Sequence, residues 1–238
     1  IIRTYFGHIA GNGENDPKNR PNQRSSLVVA PWYFDPTQPW ELIYFFHGLG
    51  GFASNTLSKR IVPNIVKLIK EKRNFVYVKP QLGHGMSGSR EGQTDSFNKK
   101  KHPGRGGDFE QYHNNILGII QKHITTAKLI APRIGMYAWS AGGATLGAIA
   151  ASGAMAKVAP HKIFFADAEY YWGYKDVPNK SGTTRSALAA VWHAYVIDNP
   201  KVHLTLMTGT GKVDRNTQRA FKSIKEGNDL KGRPVYYW

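Results

Sequence analysis

Cysteine is the first residue type that this sequence lacks: none occurs among its 238 residues. A disulfide framework, a thiolate nucleophile and a cysteine-ligated zinc are therefore excluded. The absence of thiols leaves the compartment open, because such a chain tolerates oxidising and reducing surroundings alike. The chain starts at Ile1 and not at Met, which fits either a mature form that has lost its signal or a trimmed chain. A secreted or periplasmic location is favoured over a cytoplasmic one.

Long apolar runs are also missing. No stretch approaches the ~18 apolar residues that a membrane-spanning helix needs, so we expect no transmembrane segment. The hydrophobic content of 41% is nevertheless too high for a disordered chain. We find no internal repeat and no break in composition, which predicts a single domain over residues 1–238.

Acidic residues are scarce relative to basic ones, with 16 Asp and Glu against 32 Lys and Arg and a formal net charge of +16. Such a surface attracts anions. Basic residues are spread along the chain and no nucleic-acid-binding motif occurs, so a nucleic acid is not the expected partner. One basic cluster, Lys99–Arg105, lies in a long loop predicted at about 80–107. That loop is either a functional segment that contacts an anionic polymer or a solvated loop.

Short apolar runs alternate with segments of helical periodicity, and this alternation is typical of parallel βαβ units. Strands are predicted at 26–30, 42–46, 75–78, 133–138, 162–166, 202–207 and 234–238, and helices at 57–72, 108–125, 141–155, 183–196 and 215–225. The remainder of the first forty residues is predicted to be irregular. The sequence therefore predicts an α/β fold with a mostly parallel central sheet and helices on both faces.

The residues Met136–Gly143 read MYAWSAGG, a buried strand followed by a serine and then by small residues that open a helix. This segment resembles the G-x-S-x-G nucleophile elbow of the α/β-hydrolase family, with Ala138 at the first glycine position. The alternative is a Ser/Gly-rich helix cap such as any βαβ fold can contain. The resemblance implies that Ser140 is the nucleophile and that the amide of Ala141 stabilises an oxyanion.

A second segment, His47-Gly48-Leu49-Gly50-Gly51, follows the strand predicted at 42–46. Members of the same family have His-Gly at this place, before the first helix of the sheet. The resemblance implies that a backbone N–H of Gly48 or Leu49 is the other oxyanion donor. It makes His47 a structural residue and not the general base.

The family order of catalytic residues is serine, acid, histidine. Asp167 directly follows the strand predicted at 162–166 and is the preferred acid. Asp214 follows the next strand, and it is the alternative acid or else a helix cap. The catalytic histidine has no obvious position: it is expected just beyond Trp238, or it is replaced by His84 or His102, or the protein is a non-catalytic relative. His203 begins its strand, which is the wrong edge for a site at strand carboxyl ends.

The resemblance implies hydrolysis of an ester or amide through an acyl-enzyme, without a metal or organic cofactor. Aromatic residues at 170–174 either form a packed insertion or line a binding pocket; in the second case they and the basic loop point to a polymeric, anionic or glycan-linked substrate such as cell-wall material. A small-molecule ester or amide fits the same chemistry. The competing interpretation is a non-catalytic binding module on a hydrolase scaffold, whose basic surface engages a polyanion.

Overall fold

The computed structural model describes residues 2–8, 25–48, 62–82, 109–140, 142–166, 199, 201–207 and 236–237. In this part of the chain, eight strands form one sheet in the order β1-β2-β4-β3-β5-β6-β7-β8. Pairs β1–β2 and β2–β4 are antiparallel, and all other neighbouring pairs are parallel. The predicted mostly parallel sheet is confirmed.

The strands are β1 (Ile2–His8), β2 (Ser25–Pro31), β3 (Glu41–Phe46), β4 (Phe75–Pro80), β5 (Arg133–Trp139), β6 (Lys162–Ala166), β7 (His203–Met207) and β8 (Tyr236–Tyr237). The helices are α1 (Val62–Lys70), α2 (Phe109–Ile119), α3 (Gly142–Ala151) and α4 (Ala154–Val158). Helix α2 continues as a π-helical turn over Ile120–Ile124, in which the N–H of Thr125 donates to the Ile120 carbonyl.

Apolar side chains cover both faces of the sheet, as expected for strands that are buried on both sides. On one face Leu42, Tyr44 and Val76 belong to the larger core, which α2, α3 and α4 cover. On the other face Ile43 and Tyr77 pack with the apolar side of α1. The alternation within β3 therefore sends successive residues to opposite layers, and the predicted placement of helices on both faces is confirmed.

The prediction of irregular structure before the strand at 26–30 was wrong for Ile2–His8, because β1 pairs with β2 along its whole length, from Ile2↔Pro31 to His8↔Ser25. The predicted helix 141–155 is divided in two, since Gly153 adopts a left-handed φ of 79° between α3 and α4. The helix predicted at 57–72 ends at Lys70, two residues before Lys72 with its φ of 52°. The predicted helices 183–196 and 215–225 lie outside the described residues, as does the loop at 80–107 apart from Pro80–Leu82.

Candidate active site

Ser140 occupies a sharp turn between β5 and α3. Its φ of 53° lies in the left-handed region, which is uncommon for any residue other than glycine. Two backbone hydrogen bonds fix this turn: the Ser140 N–H donates to the Ala166 carbonyl at 3.0 Å, and its carbonyl accepts from the Gly143 N–H at 3.0 Å. A strained serine between a strand and a helix is the geometry of a nucleophile elbow.

The helix that follows Ser140 approaches β3 very closely. A Cβ atom placed on Gly142 would lie only 2.1 Å from the carbonyl oxygen of Phe46 and 3.0 Å from that of His47. Because both contacts are with backbone, neither could move aside for a side chain. The small residues of the first turn of α3 therefore allow the helix to begin directly against the carboxyl end of β3.

Gly48 brings the end of β3 against the serine. A Cβ atom on Gly48 would lie 2.8 Å from Ser140 Cβ and 3.2 Å from Ser140 Oγ. The His-Gly turn and the serine turn, which are about ninety residues apart in sequence, are thus in direct contact. Parallel pairing of β3 with β5, up to Phe46↔Ala138, aligns their carboxyl ends and explains this contact.

His47 is buried and both of its ring nitrogens have partners. Its Nε2 accepts a hydrogen bond from the Leu82 N–H at 3.0 Å, so its proton is on Nδ1, which donates to the Gly48 carbonyl at 2.8 Å. Burial lowers the pKa of His47 to about 4, and the nearby Lys79 ammonium acts in the same direction. The imidazole is therefore neutral and holds the His-Gly turn to the end of β4.

Sequence reasoning missed two polar residues near His47, Lys79 and Gln81. Lys79 is only 2% exposed at the carboxyl end of β4, and burial lowers its pKa to about 8. Gln81 Nε2 lies 3.4 Å from His47 Nε2 and donates to the Leu82 carbonyl at 2.9 Å. The available signal was that Lys79 and Gln81 lie at the carboxyl end of an apolar strand, at the edge of the sheet where the site was predicted.

Four other described histidines lie away from Ser140 and His47. His113 is buried on α2 with its Nδ1 2.8 Å from the Tyr44 hydroxyl, and burial lowers its pKa to about 4. His123 packs against the ring of Tyr5. His161 and His203 line a cavity at the amino ends of the parallel strands, opposite to the edge at which Ser140 lies. This agrees with the prediction that His203 is at the wrong edge.

Several predicted site residues lie outside the described residues: Leu49 and Ala141, the acid candidates Asp167 and Asp214, and the histidines His84 and His102. Their roles stay predictions. Within the described ranges, no group of three or more His, Cys, Asp or Glu residues is arranged to hold a metal ion. No helix in that part of the chain is long and apolar enough to cross a membrane.

No family model and no curated protein matches this sequence. Solved structures do match it in fold. The chain is similar to the feruloyl esterase module from Clostridium thermocellum complexed with sinapinate, with 17% identity and a TM-score of 0.61 over 98% of this chain and 74% of that one. A ferulic acid esterase matches with 16% identity and a TM-score of 0.64, over 100% and 89% of the two chains.

A poly(3-hydroxybutyrate) depolymerase from Bordetella parapertussis is a more distant match, with 12% identity and a TM-score of 0.52 over 100% of this chain and 80% of that one. At such identities the likeness concerns the fold. It agrees with the sheet order, the parallel β3–β5 pair and the strained turn at Ser140. These observations together show that the chain has the α/β-hydrolase fold.

Proposed function

We propose that this protein is a serine hydrolase that cleaves carboxylic esters through an acyl-enzyme, with Ser140 as the nucleophile. The observation that supports this most directly is the left-handed φ of Ser140, held by backbone hydrogen bonds on both sides. Strain of this kind persists only where the surrounding structure imposes it, and it is common at active sites. The contact with Gly48 puts a second backbone turn beside the hydroxyl.

In the proposed reaction Ser140 Oγ attacks the ester carbonyl carbon while a histidine base accepts the hydroxyl proton. The tetrahedral intermediate collapses, the C–O bond to the alcohol breaks, and the alcohol leaves with that proton. Water then attacks the acyl-serine with the same base, which releases the acid and restores Ser140. Within this sequence His84 and His102 are the candidates for the base, and neither is among the described histidines.

The amides of Ala141 and of Leu49 or Gly48 are proposed as the oxyanion donors. The hydrogen bond from His47 Nδ1 to the Gly48 carbonyl supports Leu49 in particular. In a trans peptide the N–H points away from the preceding carbonyl. An anchored Gly48 carbonyl therefore fixes the direction of the following N–H, which a preorganised donor requires.

Asp167 is the proposed orienting acid, with Asp214 as the alternative. Asp167 directly follows Ala166, whose carbonyl oxygen lies 3.0 Å from Ser140 N. The chain therefore leaves β6 beside the serine turn. Replacing each acid separately by Asn distinguishes them, because loss of the orienting carboxylate costs about 10⁴-fold in rate in triad enzymes and loss of a cap costs far less.

For the substrate, we propose an ester with an aromatic acyl group, attached to a glycan such as a cell-wall polymer. Two of the structural neighbours are named as feruloyl or ferulic acid esterases. The run Tyr170-Tyr171-Trp172-Gly173-Tyr174, three residues after Asp167, supplies the aromatic side chains that such an acyl pocket needs. Hydrolysis of methyl ferulate at a rate above that of p-nitrophenyl acetate supports this substrate class.

Ser140→Ala and the matched control Ser152→Ala test the activity. Ser152 is exposed beyond the far end of α3, where its hydroxyl donates to the Ile149 carbonyl. We expect Ser140→Ala to abolish ester hydrolysis and labelling by a fluorophosphonate probe, whereas Ser152→Ala retains both. A wild-type protein that hydrolyses no ester and takes up no probe would instead support a binding module on this scaffold.

A further inference from the structure

A cavity of about 410 Å³ lies at the amino ends of the parallel strands, at the opposite edge of the sheet from Ser140. We call it the amino-edge cleft. The charged and titratable side chains that line it are Glu41, Arg73, Arg133, His161, Lys162 and His203. Its volume is within the range of ligand-binding pockets, roughly 300–1,000 Å³.

Strand pairing explains why these residues meet. Glu41 opens β3 and is paired with Arg133, the first residue of β5, and Lys162 opens β6 and is paired with His203, the first residue of β7. Arg73 directly precedes Asn74 and β4. Five neighbouring strands therefore contribute to a row about 19 Å long, at the usual spacing of ~4.8 Å.

The described charges of the cleft do not balance. Arg73, Arg133 and Lys162 are three cations, and Glu41 is the one carboxylate among the lining residues, which leaves a net charge of +2 before the two histidines are counted. Glu41 is shared between Arg73 Nη2 and His161 Nε2, each 3.6 Å from one of its oxygens.

Arg133 and Lys162 are the cations that remain for a ligand. Within the described ranges neither makes an ion pair, and Lys162 Nζ lies 5.6 Å from the centre of the Tyr137 ring. The walls are partly apolar, since Pro39 and Trp40 contribute to them. Desolvation by such walls strengthens the attraction between a bound anion and fixed cations.

We propose that the amino-edge cleft binds an anion that has two or more oxyanion groups, such as a short polyphosphate or a polycarboxylate. One phosphate would occupy only part of a row of this length. Strand β5 separates the cleft from Ser140 by roughly 20 Å, at ~3.3 Å per residue. The cleft is therefore a site distinct from the proposed esterase site. A ligand bound there does not place an ester bond at Ser140.

Titration calorimetry with sodium tripolyphosphate at pH 7.5 and low salt tests this. Burial lowers the pKa of His161, so its imidazole is neutral under these conditions. We expect the double variant Arg133→Gln/Lys162→Gln to weaken binding at least tenfold. The control Lys122→Gln removes one positive charge from an exposed position on the π-helical turn, away from the cleft, and is expected to change the dissociation constant less than twofold.

Glu41→Gln provides a test of opposite sign. Removing the carboxylate frees Arg73 and His161 and is expected to tighten tripolyphosphate binding several-fold, which a merely damaged fold cannot do. Citrate in place of tripolyphosphate distinguishes carboxylate from phosphate ligands, and inorganic phosphate is expected to bind at least tenfold more weakly than the tighter of the two.

Three results would overturn the proposal: no binding of either polyanion, equal loss in Lys122→Gln and the double variant, or unchanged binding in Glu41→Gln. Circular dichroism and thermal unfolding establish that each variant is folded. Should the double variant fail to fold, Glu41→Gln still decides the matter. The rate of p-nitrophenyl acetate hydrolysis by all three variants is expected to equal that of the wild type. None of the changed residues lies at the carboxyl ends of the parallel strands, where Ser140 is.

Discussion

Among single residues, Gly48 shows how a missing side chain shapes the candidate active site. Any Cβ there would meet both Cβ and Oγ of Ser140, at 2.8 and 3.2 Å. We expect Gly48→Ala to displace the hydroxyl and to lower kcat/KM for p-nitrophenyl acetate about 100-fold, the usual cost of a misplacement of about 1 Å. Steady-state kinetics and thermal unfolding on the same sample measure the two effects separately.

Gly153→Ala is the control for that variant. Gly153 also lies beside α3, but its φ of 79° strains any side chain while nothing lies within 4 Å of its Cβ position. This variant should lose about 1–2 kcal/mol of stability and keep its activity. Full activity in Gly48→Ala would show that the His-Gly turn does not constrain the serine.

Two buried tyrosines differ in what their hydroxyl groups contact. The hydroxyl of Tyr77 has no hydrogen-bond partner in the described structure, whereas that of Tyr44 lies 2.8 Å from His113 Nδ1. We expect Tyr77→Phe to raise the free energy of unfolding by about 1 kcal/mol and Tyr44→Phe to lower it by a similar amount, since the latter leaves a buried nitrogen unpaired. Urea unfolding curves measure both, and a destabilising Tyr77→Phe would reveal a partner for that hydroxyl.

At the scale of elements, the central strands of the parallel sheet were predictable because they are short apolar runs buried on both faces, as in β3 and β4. Strand β1 was not, because it lies at the edge and half of it is exposed: Phe6 is 49% exposed while Tyr5 packs on the core. An edge strand has only one buried face and one partner, so its sequence is under weaker constraint. The division between α3 and α4 depends on one glycine, which periodicity does not detect.

The contact between α3 and β3 gives a prediction for the pair of elements. Gly142→Ala would put a Cβ 2.1 Å from the Phe46 carbonyl oxygen, so the whole helix has to move away from the sheet. We expect a loss of about 3 kcal/mol in the free energy of unfolding. The matched control is Gly118→Ala in α2, where nothing lies within 4 Å, and it should stabilise the protein by about 0.5–1 kcal/mol. Equal melting temperatures for the two variants would contradict this account.

At the scale of the whole molecule, the site was predictable only where local sequence determines local geometry. Ser140 and Gly48 follow apolar strands with small neighbours, and such turns are recognisable from sequence. The pairing of Glu41 with Arg133 and of Lys162 with His203 depends on strand order, which no local pattern encodes. The amino-edge cleft therefore could not be predicted from the sequence, although the net charge of +16 indicated that some part of the surface attracts anions.

Acid sensitivity of the molecule as a whole follows from two buried imidazoles. Burial lowers the pKa of both His47 and His113 from 6.5 to about 4. Between pH 6.5 and 4 these two histidines bind protons in the unfolded chain but not in the folded protein. Their contribution to the free energy of unfolding is therefore fully present above pH 6.5 and decreases as the pH falls towards 4. Each histidine is expected to cost roughly 3 kcal/mol once the pH is below 4.

The double variant Tyr44→Phe/His113→Leu separates the two contributions, because it removes both polar partners of one buried pair and leaves His47 in place. We expect urea unfolding of the wild type to weaken steeply from pH 6.5 to 4.5, and the double variant to show about half of that slope. Above pH 7 the two proteins should show parallel dependences, because the lowered pKa of Lys79 affects both alike. A wild-type stability that stays level down to pH 4.5 would mean that the two imidazoles gain protons in the folded protein as readily as in the unfolded chain.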